Sequence, residues 1–220
     1  MMSPSLLPPL APPPLASLLR PPPAAAISLR ELAEPENSLT RTIDGEELRL
    51  YDRAPAIEDA PLIASAGDRS RVSLSQLLNS GSYVVLFFLP GGPLEQQRNQ
   101  AEATSFDALA DAYAESDAVL LGVSKQSEAA LKTQASAWRL RRIGLVADPT
   151  GAISKAYGAL SVLTGSSARQ TFLVDRDGRL RFIERNLDSA LAVGTFSLDN
   201  HAIRVQRELY QVHNTDGWTI

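Results

Sequence analysis

Tyr83-Val84-Val85-Leu86-Phe87-Phe88-Leu89-Pro90-Gly91-Gly92 decides the fold. Seven apolar residues in unbroken succession, bounded by Gly81 before and Pro90-Gly91-Gly92 after, read as a strand buried on both faces. Such a strand belongs in the middle of a sheet that has helices above and below it. Downstream, Leu94 to Glu115 has helical spacing, with Phe106, Leu109, Ala110 and Tyr113 on one face. A second buried run, Ala118 to Val123, follows. Residues 127–140 return to helical period, with Leu131, Ala135 and Trp138 on one stripe, and Ile143 to Val146 forms a third, shorter strand. A small helix around Ile153, Ala156 and Tyr157 ends at Gly158. Thr171 to Val174 and Leu180 to Ile183 flank the turn Asp175-Arg176-Asp177-Gly178, an antiparallel hairpin. A last helix is expected from Asn200, its cap, to Val212, with Ala202, Val205, Leu209 and Val212 inward.

Strands joined by helices lie parallel and the hairpin adds antiparallel edges, so the expected architecture is an α/β mixed sheet flanked by helices. Upstream of the first strand, Val72 to Leu78 reads as a short helix, and Leu48 to Leu50 as a short half-buried strand broken by Arg53-Ala54-Pro55. The chain begins differently: nine of its 15 prolines fall within residues 1–26, where Arg20 is the one charged side chain. Repeated proline fixes φ and removes N–H donors, so this tail is expected to be disordered and polyproline-like. It reads either as a flexible extension, the favoured reading, or as a cleaved targeting segment; its longest Pro-free apolar run, Leu15 to Leu19, is far too short to span a membrane. The division expected is residues 1–26 as tail, 27–60 as irregular linker, 61–213 as the domain and 214–220 as a C-terminal tail. A soluble protein, cytoplasmic by default, is expected.

Composition removes several function classes. Of 220 residues, 21 are Lys or Arg and 25 Asp or Glu, a net charge of −4, which offers no basic field for nucleic acid. Cysteine is absent, which excludes disulfides, thiolate metal sites and thiol nucleophiles. His201 and His213, both in or after the last helix, read as surface or capping residues. Thr104 and Ser105 have no neighbouring histidine to activate them, and no phosphate loop, paired-carboxylate or Ca-loop pattern occurs. No metal or cofactor is expected.

Four stretches carry a family resemblance. Tyr83 to Pro90 ends in F-x-x-P; Leu121-Gly122-Val123-Ser124 is a second strand ending G-V-S; residues 147–158, ADPTGAISKAYG, resemble D-P-x-G-x-x-x-K-x-Y-G; and Arg169-Gln170-Thr171-Phe172-Leu173-Val174-Asp175, then Gly178, resembles R-x-T-F-L-I-D-x-x-G. Over Pro61 to Arg185 the chain resembles the peroxiredoxins of the AhpC/TSA superfamily, specifically the peroxiredoxin Q or bacterioferritin-comigratory-protein group. The resemblance implies a thioredoxin fold and a thiol peroxidase, often dimeric. Family members carry T-x-x-C-T-x-E-A-x-x-F at the start of the first long helix. Here Glu102, Ala103 and Phe106 match, while the peroxidatic cysteine falls on Asn99, the preceding threonine on Gln96, and the position that often holds a resolving cysteine on Thr104. Arg169 sits where the family has its transition-state arginine.

Peroxide reduction needs a thiolate that becomes a sulfenic acid, and a delocalised amide nitrogen cannot replace it. Loss of peroxidase activity is therefore expected, with no catalytic residue at Asn99. The favoured outcome is a non-enzymatic protein kept for binding a protein partner, a small anion or copies of itself. The alternatives are cysteine-free chemistry at Arg169 or action with a partner's thiol. If an anion binds, Pro90, Gly91, Gly92, Arg98 and Arg169 are the residues expected to hold it.

Overall fold

A computed structural model describes residues 47–64, 69–160, 165–185, 187 and 198–216, all within one unit that spans Thr40–Ile220. The expected tail, residues 1–26, lies outside the described residues.

β3, Tyr83–Leu89, is the central strand, and no residue in it is more than 1% exposed. It is parallel to β4, Ala118–Ser124, which is parallel to β5, Gly144–Ala147. On its other side β3 meets β6, Thr171–Val174, antiparallel, and β6 forms a hairpin with β7, Leu180–Glu184. The sheet is completed by a hairpin the periodicity did not signal, β1, Ala60–Ile63, with β2, Arg69–Val72, β1 lying antiparallel to β5. The order of the seven strands is β2-β1-β5-β4-β3-β6-β7. This is the thioredoxin-like mixed sheet expected.

Alternation along β3 sorts the core into two layers. Tyr83, Val85, Phe87 and Leu89 face Phe106, Tyr113, Leu131, Trp138, Ala202, Val205 and Leu209. Val84, Leu86 and Phe88 face Leu74, Tyr157, Phe172 and Val174. The first face is covered by α2, Gln96–Ala108, α3, Ala110–Ala114, α4, Glu128–Ala137, and the long C-terminal helix α6, Leu198–Asp216; the second by α1, Leu74–Asn79, and α5, Ala152–Ala156. Gly122 is closely packed on the first face. A Cβ there would stand 2.8 Å from Phe87, whose ring stacks on Phe106 with centroids 4.4 Å apart. In the D-P-T-G element, Asp148 fixes the start of α5 by accepting the Ser154 N–H and hydroxyl, each at 2.8 Å.

Several sequence boundaries move. The single helix expected over 94–115 is a 3-10 turn, Pro93–Glu95, then α2 and α3 with a break at Leu109. Val72 ends a strand and Ser73 takes the N-cap position of the helix that follows, its hydroxyl accepting from the Asp59 N–H at 3.0 Å rather than from the helix. Leu48 to Leu50 forms no strand, and Leu50 is 41% exposed. Residues 51–57, placed in the linker, belong to the domain body: Tyr51 N–H donates to the Leu180 carbonyl, Ala54 N–H to that of Gly178, and Ile57 is buried. Asn200 is inside α6 rather than its cap, and the helix runs on to Asp216. A carboxylate there opposes the helix dipole, and the Tyr83 hydroxyl and Arg181 guanidinium, each at 2.8 Å, offset that cost. Among the described residues no helix is long and apolar enough to cross a membrane.

Candidate functional site

The antiparallel pairing of β3 and β6 sets the start of β6 beside the end of β3; Phe87 faces Thr171, and Phe88 N–H donates to the Gln170 carbonyl. Arg169, two residues before β6, therefore reaches the loop that leaves β3 and the first turns of α2. The sequence placed Asn99, Glu102 and Arg169 at one site, and the structure brings these three together.

Asn99 is 2% exposed and both ends of its amide are occupied. Its Nδ2 donates to the Pro90 carbonyl at 2.7 Å, and its Oδ1 accepts from Arg169 Nη2 at 2.8 Å. The orientation of the amide follows from these partners, since a carbonyl oxygen needs a donor and a guanidinium needs an acceptor. Arg169 itself has no exposed surface. Its Nη1 is bonded to the Glu102 carboxylate, also fully buried, and its Nη2 donates at 3.0 Å to Oε2 of Glu95. A buried guanidinium is tolerable only when its fork is filled, and here two carboxylates and a carboxamide fill it.

Glu95, which the sequence reading did not single out, lies between the two arginines of the expected anion site. Its second oxygen lies 3.3 Å from Nη1 of Arg98, so Arg98 and Arg169 converge on the chain's own carboxylate. Arg98 is exposed, Gly91 is half-buried, and Gly92, at φ 113°, is in a backbone conformation that favours glycine. Pro90 contributes its carbonyl to Asn99. The expected five-residue cradle therefore divides into a buried part and a surface part with Glu95 between them. Gln96 is exposed. The Thr104 hydroxyl bonds back to the carbonyls of Gln100 and Ala101, at 2.7 and 3.1 Å, beside a shallow cavity of about 350 Å³ that it shares with Ser105, Ala108, Leu109 and Ile203. That cavity does not include Asn99 or Arg169.

A second polar layer lies behind Glu102. His201, expected at the surface, has no exposed area; its Nε2 is 2.8 Å from the Thr171 hydroxyl and 4.0 Å from Glu102, and its Nδ1 is 3.2 Å from Glu184. Arg204, one turn on, pairs with Glu184. Burial pushes the imidazole pKa down to about 4; the Arg169 charge adds to the effect and the Glu102 charge opposes it. His201 is thus neutral at pH 7, with Nε2 sharing a hydrogen bond with the Thr171 hydroxyl and Nδ1 turned toward the Glu184 carboxylate. The signal was present in the sequence: His201 precedes Val205 by four residues and Leu209 by eight, which puts it on the inward stripe of α6.

Residues 51–183 match the family model described as AhpC/TSA family. No curated protein has a matching sequence. Among solved structures, peroxidoxin BcpB from Mycobacterium tuberculosis is 26% identical, with a TM-score of 0.60 over 76% of this chain and 99% of that one. Thioredoxin peroxidase I from Plasmodium yoelii is 19% identical, with a TM-score of 0.63 over 78% and 95%. A Cys-to-Ser mutant of Xylella fastidiosa PrxQ is 21% identical, with a TM-score of 0.59 over 76% and 98%.

Proposed function

Because the chain belongs to the AhpC/TSA family and has no cysteine, we propose that it is a non-catalytic member, kept for binding, regulation or scaffolding, in which Asn99 stands in the place of the peroxidatic thiol. One observation carries this reading: the group at position 99 is a carboxamide committed at both ends, to Pro90 and to Arg169. Thiol peroxidases work by attack of a thiolate on one peroxide oxygen; the O–O bond breaks, the sulfur becomes a sulfenic acid and the other oxygen leaves as alkoxide or hydroxide. An amide nitrogen has no basic lone pair for that step. Sulfur itself is confined to Met1 and Met2, so nothing in the domain can pass along the oxidation ladder of cysteine or methionine. Arg169, the group that would stabilise a developing negative charge, already faces Glu102 and Glu95.

Exposure to a few equivalents of hydrogen peroxide, then peptide mass mapping, tests this reading. Oxygen is expected on Met1 and Met2 alone, with peptides from 51–183 unchanged. A stoichiometric oxygen adduct within 51–183 that dithiothreitol removes would overturn it. Binding by self-association is the first partner class to examine, by size-exclusion mass of the full chain.

A further inference from the structure

We propose that Arg98 and Arg169 form a carboxylate site that Glu95 fills in cis, and that the Gly91–Glu95 turn withdraws Glu95 when a carboxylate from another molecule takes its place. The inference rests on the non-catalytic reading and names a ligand class for it.

The geometry is that of one carboxylate held by two guanidinium groups. Oε2 of Glu95 accepts from Arg169 at 3.0 Å and Oε1 from Arg98 at 3.3 Å, so each oxygen has its own donor. Such a pair of donors suits a planar two-oxygen anion. A phosphate dianion is disfavoured, because Glu102 is bonded to the same guanidinium and its charge would repel the second negative charge. The inner half of the site has partners of its own: Arg169 is bonded to Glu102 and to Asn99, both on α2 rather than on the turn. With Glu95 withdrawn, Arg169 and Glu102 cancel and Arg98 leaves a local charge of +1, the sign an incoming carboxylate needs.

The segment that carries Glu95 is short and lightly packed. It is the 3-10 turn Pro93–Glu95, preceded by Gly91 and Gly92, and at both glycines the space a Cβ would enter is open. Leu94, at the centre of the turn, is 89% exposed, so that residue gives it no apolar anchor on the domain. Glu95 is partly exposed at 22% and Arg98 at 46%, whereas Arg169 behind them has no exposed surface, so the outer half of the cluster is open to solvent. A tethered carboxylate on a short flexible turn has an effective concentration on the order of millimolar, so a free carboxylate must outcompete it. Removing Glu95 therefore has to raise the apparent affinity for an external carboxylate.

The chemistry fits two sources, a free monocarboxylate or the carboxylate of a partner's peptide, and two probes distinguish them. Full-length wild type, Glu95→Ala and Glu95→Gln are titrated with sodium acetate and, separately, with a short peptide ending in a free carboxylate, its C-terminally amidated form serving as control. Ionic strength is held constant with sodium chloride, and binding is read by NMR shifts and by thermal shift. Both variants are expected to bind at least tenfold more tightly than wild type, and adding Arg98→Ala is expected to abolish the gain. Stronger binding of the peptide identifies a protein partner; equal or stronger binding of acetate identifies a free ligand. Variants that bind acetate and peptide no better than wild type, or bind inorganic phosphate better than either, overturn the proposal. Hydroperoxide consumption in the same samples reports separately on the non-catalytic reading, so failure of one is not mistaken for failure of the other.

Discussion

Arg169→Ala is expected to lower the unfolding free energy by about 3–5 kcal/mol at pH 7, because it leaves the Glu102 carboxylate buried without its cation. The loss should appear as a reduced urea midpoint with an unchanged denaturant slope. Asn99 loses its donor at the same time, and a buried carbonyl oxygen without a donor contributes to the cost. Where Arg169→Ala is too unstable to purify, Glu102→Gln provides the same test from the other side, since it removes the charge while keeping the shape. The double replacement Arg169→Met with Glu102→Met is expected to cost less than the sum of the two single replacements, because it takes both charges out of the interior together. A single replacement that changes stability by less than about 1 kcal/mol would contradict the burial of this pair.

Stability should also fall as the solution is acidified from neutral, and His201 sets much of the slope. The histidine has its ordinary value of 6.5 in the unfolded chain and about 4 in the folded one. A depressed histidine pKa means that between these values the unfolded state takes up a proton and the folded state does not. The stabilisation is therefore complete above about pH 6.5, is lost as pH falls toward 4, and levels below that. At about 1.36 kcal/mol per pH unit the total is roughly 3 kcal/mol. Glu102, Glu184, Arg169 and Arg204 are the charged groups around the ring. Urea unfolding between pH 7.5 and 4.5 measures the effect. His201→Gln is expected to show a slope shallower by about one proton, and an unchanged slope would remove His201 from the account.

The sheet was legible because its central strands are buried on both faces and read as apolar runs; β3 fell within the residues expected. The β1–β2 hairpin was missed because each strand has only four residues, and Arg69, Ser70 and Arg71 of β2 are polar, too short and too mixed for period-2 alternation to stand out. At the site, Asn99, Glu102 and Arg169 were legible because their spacing resembled a motif whose geometry brings them together. Glu95 was not, since it matched no motif position and its meaning depends on a turn that lays it against an arginine 74 residues away. His201 was misplaced because a histidine beside a charged stretch looks solvent-facing until helix periodicity is followed through Val205 and Leu209. The sequence placed Arg98 and Arg169 near one loop but did not show that Glu95, from that loop, bonds to both.

The most direct measurement is hydroperoxide consumption by the full-length chain, with hydrogen peroxide and an alkyl hydroperoxide as oxidants and dithiothreitol or thioredoxin as reductant. With a carboxamide at position 99 and no sulfur beyond Met2, the rate should equal that of the protein-free solution at every protein concentration. A rate that rises in proportion to protein, and disappears in Arg169→Lys, would contradict it.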